Sequence, residues 1–228
     1  LTHNTTEQAV SLFGVEQLQF DDTTANLKLK TSSKFEQSKH GFITTIDGGE
    51  FQVNATYELA FPNPSITGLN DGGFIITWSS AQGISAQRYD ANGDANGTEF
   101  KVTTSAGHPT TTDLDDGGFV ITWQSYTEDG DFWGIFAQIF NADGSTQGSE
   151  FQVNTYTTSS QQNSSITTLS DGGFVVTWES YDQDGSLYGI YAQMYDANGT
   201  KKGSEFQVNT YTDRNQSEPS IASLSDDG

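Results

Sequence analysis

Apolar and polar residues alternate with a period of two along much of this chain. In Phe174-Val175-Val176-Thr177-Trp178-Glu179, Phe174, Val176 and Trp178 fall on one side and Val175, Thr177 and Glu179 on the other, which is the pattern of a β-strand. The stretch returns three times, as LNDGGFIITWSS from Leu69, LDDGGFVITWQS from Leu114 and LSDGGFVVTWES from Leu169, and LSDDG at Leu224 opens a fourth copy. A second string alternates with it: EFQVNATYE from Glu50, EFKVTTSAG from Glu99, EFQVNTYTT from Glu150 and EFQVNTYTD from Glu205. Its phenylalanines, Phe51, Phe100, Phe151 and Phe206, are spaced by 49, 51 and 55 residues, close to the period of about 50 found in kelch-type propeller blades.

The third copy divides into SSITTL, GGFVVTWES, YGIYAQMYD and SEFQVNTYT, four short segments rich in β-branched and aromatic residues. Glycine, aspartate and asparagine clusters separate them, as in Ser170-Asp171-Gly172-Gly173 and Ala197-Asn198-Gly199, where residues that tolerate positive φ suit tight hairpins. No segment carries a helical period. A four-stranded sheet with apolar groups on both faces buries them only by stacking on its neighbours. The pattern therefore predicts an all-β chain of tandem four-stranded antiparallel units, packed as β-propeller-like blades in an incomplete ring belonging to a longer protein. The predicted division is an N-terminal β segment and connector over 1–49 and a repeat region over 50–228. Its units are 50–99, 100–150 and 151–205, with a fourth starting at 206–228.

Copy lengths differ where loops belong. Trp78 to Tyr89 is 11 residues, whereas Trp123 to Phe140 and Trp178 to Tyr195 are each 17. The six residues missing from the first copy correspond to YDQDGS, which places YDQDGSLYG at a strand connection. Asp182, Asp184 and Ser186 there, and Glu128, Asp129 and Asp131 in the second copy, cluster oxygen donors around one glycine. Asp90, Asn92 and Asp94 place a donor at every other position of a further connection. Calcium takes six to eight oxygens, which loops of this kind supply. A plain Asp-Gly or Asn-Gly turn accounts for the same residues. At this level both readings stand.

Charge changes the list of partners. The chain holds 30 acidic and 9 basic residues, a formal charge of -21, so nucleic acid and anionic lipid are repelled. Self-repulsion of that size favours cations among the carboxylates. Hydrophobic residues make up 33% of the chain, which suffices for a packed core and excludes a disordered composition. The absence of cysteine removes disulfides, zinc-thiolate sites and thiol nucleophiles. No apolar run is long enough to insert in a membrane, and LTHNTTEQAV does not read as a signal peptide. Lys28 to Lys39 hold four of the nine cations and read as a solvated connector.

The strings DGGFVVTWES, DQDGSLYGIYAQMYDANG and GSEFQVNTYT resemble the repeat of very large secreted bacterial proteins of the repeats-in-toxin (RTX) adhesin and haemolysin-type calcium-binding class, over roughly residues 50 to 228. GVEQLQFDDTTANL, from Gly14, is similar to the stretch that follows glycine-rich calcium nonapeptides in those proteins. The resemblance implies an extracellular location, type I export, calcium-dependent folding and a role in adhesion, with further repeats in the same parent chain. The nonapeptide Gly-Gly-x-Gly-x-Asp itself is absent, so calcium binding rests on the loops above.

Catalysis needs a positioned base or nucleophile, and His3, His40 and His108 lie outside the matching repeat positions. His108, before Pro109, reads as a solvated loop histidine. Phe132, Trp133 and Tyr188, just beyond the variable loop, offer flat rings beside carboxylates for stacking on a sugar; the competing reading packs them between blades. The sequence thus points to a non-enzymatic extracellular calcium-binding module of a secreted adhesin, contacting a cell-surface glycan or protein. Its alternative is an accessory carbohydrate-binding region of a secreted hydrolase.

Overall fold

The period-two stretches become strands in the computed structural model, which describes residues 26–27, 51–53, 63–104 and 106–224. Two compact units divide the chain, Leu1–Tyr57 and Glu58–Gly228. In the first, β1 (Asn26–Leu27) pairs antiparallel with β2 (Phe51–Gln52). Most of the expected N-terminal segment, the Lys28 to Lys39 cluster, His3, His40 and the last residues of LSDDG lie outside the described residues.

The second unit holds three four-stranded antiparallel sheets, each wound in chain order. Sheet one is β3 (Ser65–Gly68), β4 (Phe74–Ser80), β5 (Gly83–Tyr89) and β6 (Phe100–Thr103). Sheet two is β7 (Ala106–Asp113), β8 (Phe119–Tyr126), β9 (Trp133–Phe140) and β10 (Thr146–Gln152). Sheet three is β11 (Gln161–Thr168), β12 (Phe174–Tyr181), β13 (Tyr188–Tyr195) and β14 (Lys201–Gln207). The EF string closes each sheet as its fourth strand. The described residues contain no helix.

Alternation along one strand serves two interfaces. Phe119, Ile121 and Trp123 of β8 join Leu69, Ile75, Ile84 and Ala86 of sheet one in one buried cluster. Val120 of the same strand, with Ile135, Ala137 and Ile139, joins Phe174, Val176 and Trp178 of sheet three in the next. Because residues i and i+1 point to opposite faces, the middle sheet, sheet two, is apolar on both sides and is covered on both. This is propeller-blade stacking, with three described sheets where a closed ring uses four to eight. The same cross-strand pair recurs in each sheet: Phe74 on Tyr89, Phe119 on Phe140 and Phe174 on Tyr195 are stacked, with centroids 4.9, 5.1 and 5.0 Å apart.

The turn after the first strand explains the DGG signature. Leu169 N–H donates to Gly173 O at 2.8 Å, and Asp171 Oδ1 accepts the Gly173 N–H at 3.1 Å. A Cβ on Gly173 would sit 2.3 Å from the Tyr195 carbonyl oxygen, so only glycine lets the turn lie against β13.

Candidate functional site

The expected acidic loops are the hairpins joining β8 to β9 and β12 to β13. Thr127 and Asp182, both in the left-handed region at φ 61° and 60°, open them by donating N–H bonds to Phe132 O and Leu187 O. Their carboxylates serve the loops themselves. Asp129 Oδ1 accepts from Asp131 N–H at 3.4 Å and Asp184 Oδ1 from Ser186 N–H at 3.1 Å. The second oxygens take Asn154 Nδ2 at 3.3 Å and Gln207 Nε2 at 3.2 Å. Asp131 Oδ2 accepts the Ser159 N–H at 2.8 Å, and Ser186 Oγ the Arg214 N–H at 3.2 Å. In the β5–β6 connection Asp90 Oδ1 accepts from both Asn92 and Asp94 N–H at 2.9 Å. Those bonds, the Asp94 amide's foremost, hold the Asp90 carboxyl below its ordinary range. The donor chemistry suits calcium, yet these oxygens already face N–H groups. Among the described residues no three Asp, Glu or His side chains gather as a cation shell.

Glu128 meets Glu150 of β10, whose carboxyl is pushed up to about 7 by burial and by the Glu128 carboxyl. In sheet three the equivalent contact is between unlike groups, Gln183 Nε2 donating to Glu205 Oε1 at 2.6 Å. The aromatics sit at the same hairpins. Tyr126, which the sequence reading passed over, meets Trp133 and Phe132 edge-on at 5.1 and 6.2 Å, and Tyr188 meets Tyr181 at 5.0 Å. Phe132 is 50% exposed; Trp133 and Tyr188 are half-buried.

A second constellation lies at the starts of the first strands. Asn63, His108, Asn163 and Glu218 occupy equivalent positions of four successive repeats, before Pro64, Pro109, Ser164 and Pro219. They line one open depression of about 340 Å³, together with those prolines. His108, Asn163 and Glu218 are left-handed at φ 55°, 54° and 58°, and bulges interrupt β7 between Gly107 and Thr110 and β11 between Gln162 and Ser165. Non-glycine residues avoid this conformation, and a following proline disfavours it further.

What holds them is a repeated clamp from the previous sheet. The residue after the strand tryptophan offers an oxygen to the backbone N–H of the left-handed residue. Ser79 Oγ takes His108 at 3.2 Å, Gln124 Oε1 takes Asn163 at 3.0 Å and Glu179 Oε1 takes Glu218 at 2.6 Å. Gln124 and Glu179 are buried, so their two bonds are partly shielded from competing water, whereas the Ser79–His108 bond is exposed. Asn63 Nδ2 and His108 Nε2 lie 3.1 Å apart. Partial burial holds the His108 imidazole below its ordinary pKa. His108 therefore lies in a strand bulge and not in a loop. The available signal was the run Asn-Pro, His-Pro, Asn-Ser, Glu-Pro at one position of the repeat.

Two amides, an imidazole and a carboxylate around a concavity supply donors and acceptors in several directions, beside apolar proline rings. That is the composition of a small polar-ligand site. Strained residues concentrated where side chains converge are a mark of functional positions.

No protein-family description and no curated protein matches the chain. Solved structures that are similar in part include the following three. An endo-arabinase from Bacteroides thetaiotaomicron VPI-5482 is 17% identical with a TM-score of 0.42, over 61% of this chain and 59% of that one. The Hadza microbial sialidase Hz136 is 14% identical with a TM-score of 0.48, over 63% and 37%. A thermostable family-43 glycoside hydrolase is 13% identical with a TM-score of 0.45, over 65% and 54%. The chain thus spans between about a third and three fifths of their lengths. All three are named as enzymes, and the expectation of a non-enzymatic chain is corrected on that finding.

Proposed function

We propose that the chain is a carbohydrate-binding propeller region of a secreted glycoside hydrolase, and that the depression between Asn63, His108, Asn163 and Glu218 receives a neutral glycan. The observation that carries this reading is the placement of four polar residues of three kinds, one per repeat, around a depression of about 340 Å³. A sugar presents hydroxyls in several directions, and amides, imidazole and carboxylate pair with them as donors and acceptors. The formal charge of -21 disfavours anionic polysaccharides. This is the alternative raised by the sequence, and it draws on the depression more than on the loop aromatics.

The test is calorimetric titration of neutral and acidic oligosaccharides into the chain and into Asn163→Ala and Phe132→Ala. The expected result is binding of a neutral oligosaccharide, weakened tenfold or more (about 1.4 kcal/mol) by Asn163→Ala and little by Phe132→Ala. The opposite ranking, or no binding of any neutral oligosaccharide, overturns it.

A further inference from the structure

The three sheets are built alike, but their outward faces are not equally covered. In sheet two, Leu114, Ile135, Ile139 and Val153 are 1%, 0%, 2% and 0% exposed, because sheet three lies on them. The equivalent face of sheet three carries Leu169, Ile190, Met194 and Val208. Leu169 and Ile190 are half-buried, and Met194 and Val208 are 37% and 50% exposed. Phe206, equivalent to the packed Phe151, is 45% exposed. Three large apolar side chains clustered on one sheet face mark an interaction surface.

We infer that this face is an interface for a fourth sheet of the same repeat, joined in the same polypeptide. The established interfaces continue into it. Asn154 Oδ1 accepts the Ile135 N–H and its amide donates to Tyr156 O and Gln161 Oε1, forming the corner from sheet two to sheet three. Asn209 repeats these three contacts, to Ile190 N–H, Tyr211 O and Gln216 Oε1. Beyond that corner Glu218 is clamped by Glu179, and Ile221 N–H lies 3.4 Å from Ser165 Oγ. Residues 209–221 thus lie along sheet three as residues 154–166 lie along sheet two. What the face fits is a strand with the alternate Phe-x-Val-x-Trp pattern, as Phe174, Val176 and Trp178 fit sheet two. The inference stands independently of the carbohydrate reading, although Glu218 ties the two together at the depression.

Met194 is the chain's single methionine, so its oxidation by hydrogen peroxide reports on this face. The full chain is compared with two extensions that append a copy of residues 174–216 after Gly228, with leucine replacing the copied methionine. One keeps the copied Phe174, Val176 and Trp178; the other has serine at all three. The expected result is Met194 oxidation at least tenfold slower in the first extension and unchanged in the second. Equal rates in both overturn the inference. Protection that rises with concentration in the unextended chain, alongside dimer formation, overturns it in favour of a second copy. Should an extension fold poorly, Val208→Lys and Val153→Lys in the unextended chain decide. Val208→Lys leaves the thermal midpoint nearly unchanged, whereas Val153→Lys abolishes folding. Equal loss for both shows that the Val208 face is already covered.

Discussion

Replacing His108 by glycine and by alanine separates a residue kept for its side chain from one kept for the fold. At φ 55° an L-residue pays about 1–2 kcal/mol relative to the right-handed side of the map, and alanine keeps that strain because it keeps Cβ. Glycine removes it, but its freer unfolded chain costs about 0.5–1 kcal/mol. Both variants lose the imidazole and its contact with Asn63 Nδ2, so that loss cancels between them. Glycine should then be the more stable by about 0.5–1 kcal/mol. For a chain of this size that is a midpoint about 1–4 °C higher. The usual order within a strand is the reverse, so the sign is diagnostic. Thermal and urea unfolding measure it, and calorimetry with the bound glycan should show both variants impaired. An alanine variant more stable than the glycine variant would refute the strain argument, and unimpaired binding in both would refute the role given to the imidazole.

Glu128→Gln should flatten a pH dependence. Glu150 is pushed from 4.5 to about 7 in the folded chain, so between those values the folded state holds the extra proton and stability falls as pH rises. Glutamine at 128 recreates the Gln183–Glu205 pairing, and urea unfolding from pH 5 to 8 should show the decline reduced, with the part due to burial of Glu150 remaining. His108 acts in the opposite sense, since its lowered pKa makes stability rise with pH up to about 6.5; the variant leaves that contribution in place. Asp184→Ala removes the acceptor of the Ser186 N–H and of Gln207 Nε2 and should cost about 1 kcal/mol, equally in calcium and in chelator. A calcium-specific rise in the midpoint that Asp184→Ala abolishes would instead show an ion held at the loop. Trp123→Ala empties a fully buried position between sheets one and two and should cost about 3–5 kcal/mol by equilibrium unfolding.

The strands were legible because their determinants are local. Phe174, Val176 and Trp178 alternate with Val175 and Thr177, and the DGG turns need positive φ at one glycine and contact without a Cβ at the next. The depression was not, because its determinants are distant. Ser79 clamps His108 across 29 residues, while Gln124 clamps Asn163 and Glu179 clamps Glu218 across 39. No window of the sequence contains both partners, and a His-Pro pair alone argues for an extended residue. The acidic loops show how one motif admits two readings. Asp-x-Asp-Gly attracts a metal reading, but the carboxylate oxygens of Asp129 and Asp184 are taken up by the hairpin and by Asn154 and Gln207.

Repetition itself separates structure from function here. Positions that build sheets repeat: phenylalanine at 74, 119 and 174, tryptophan at 78, 123 and 178, and the glycine pairs before them. The clamp residues Ser79, Gln124 and Glu179 differ in type but share one capacity, an oxygen acceptor. Asn63, His108, Asn163 and Glu218 share no single chemistry, although one backbone conformation recurs at the last three. A structural plug built from repeats can use the same residue in every copy. Four repeats that bring amide, imidazole and carboxylate groups to one depression suit a ligand that presents donors and acceptors in several directions, which an asymmetric polyhydroxylated molecule does and a single spherical ion does not.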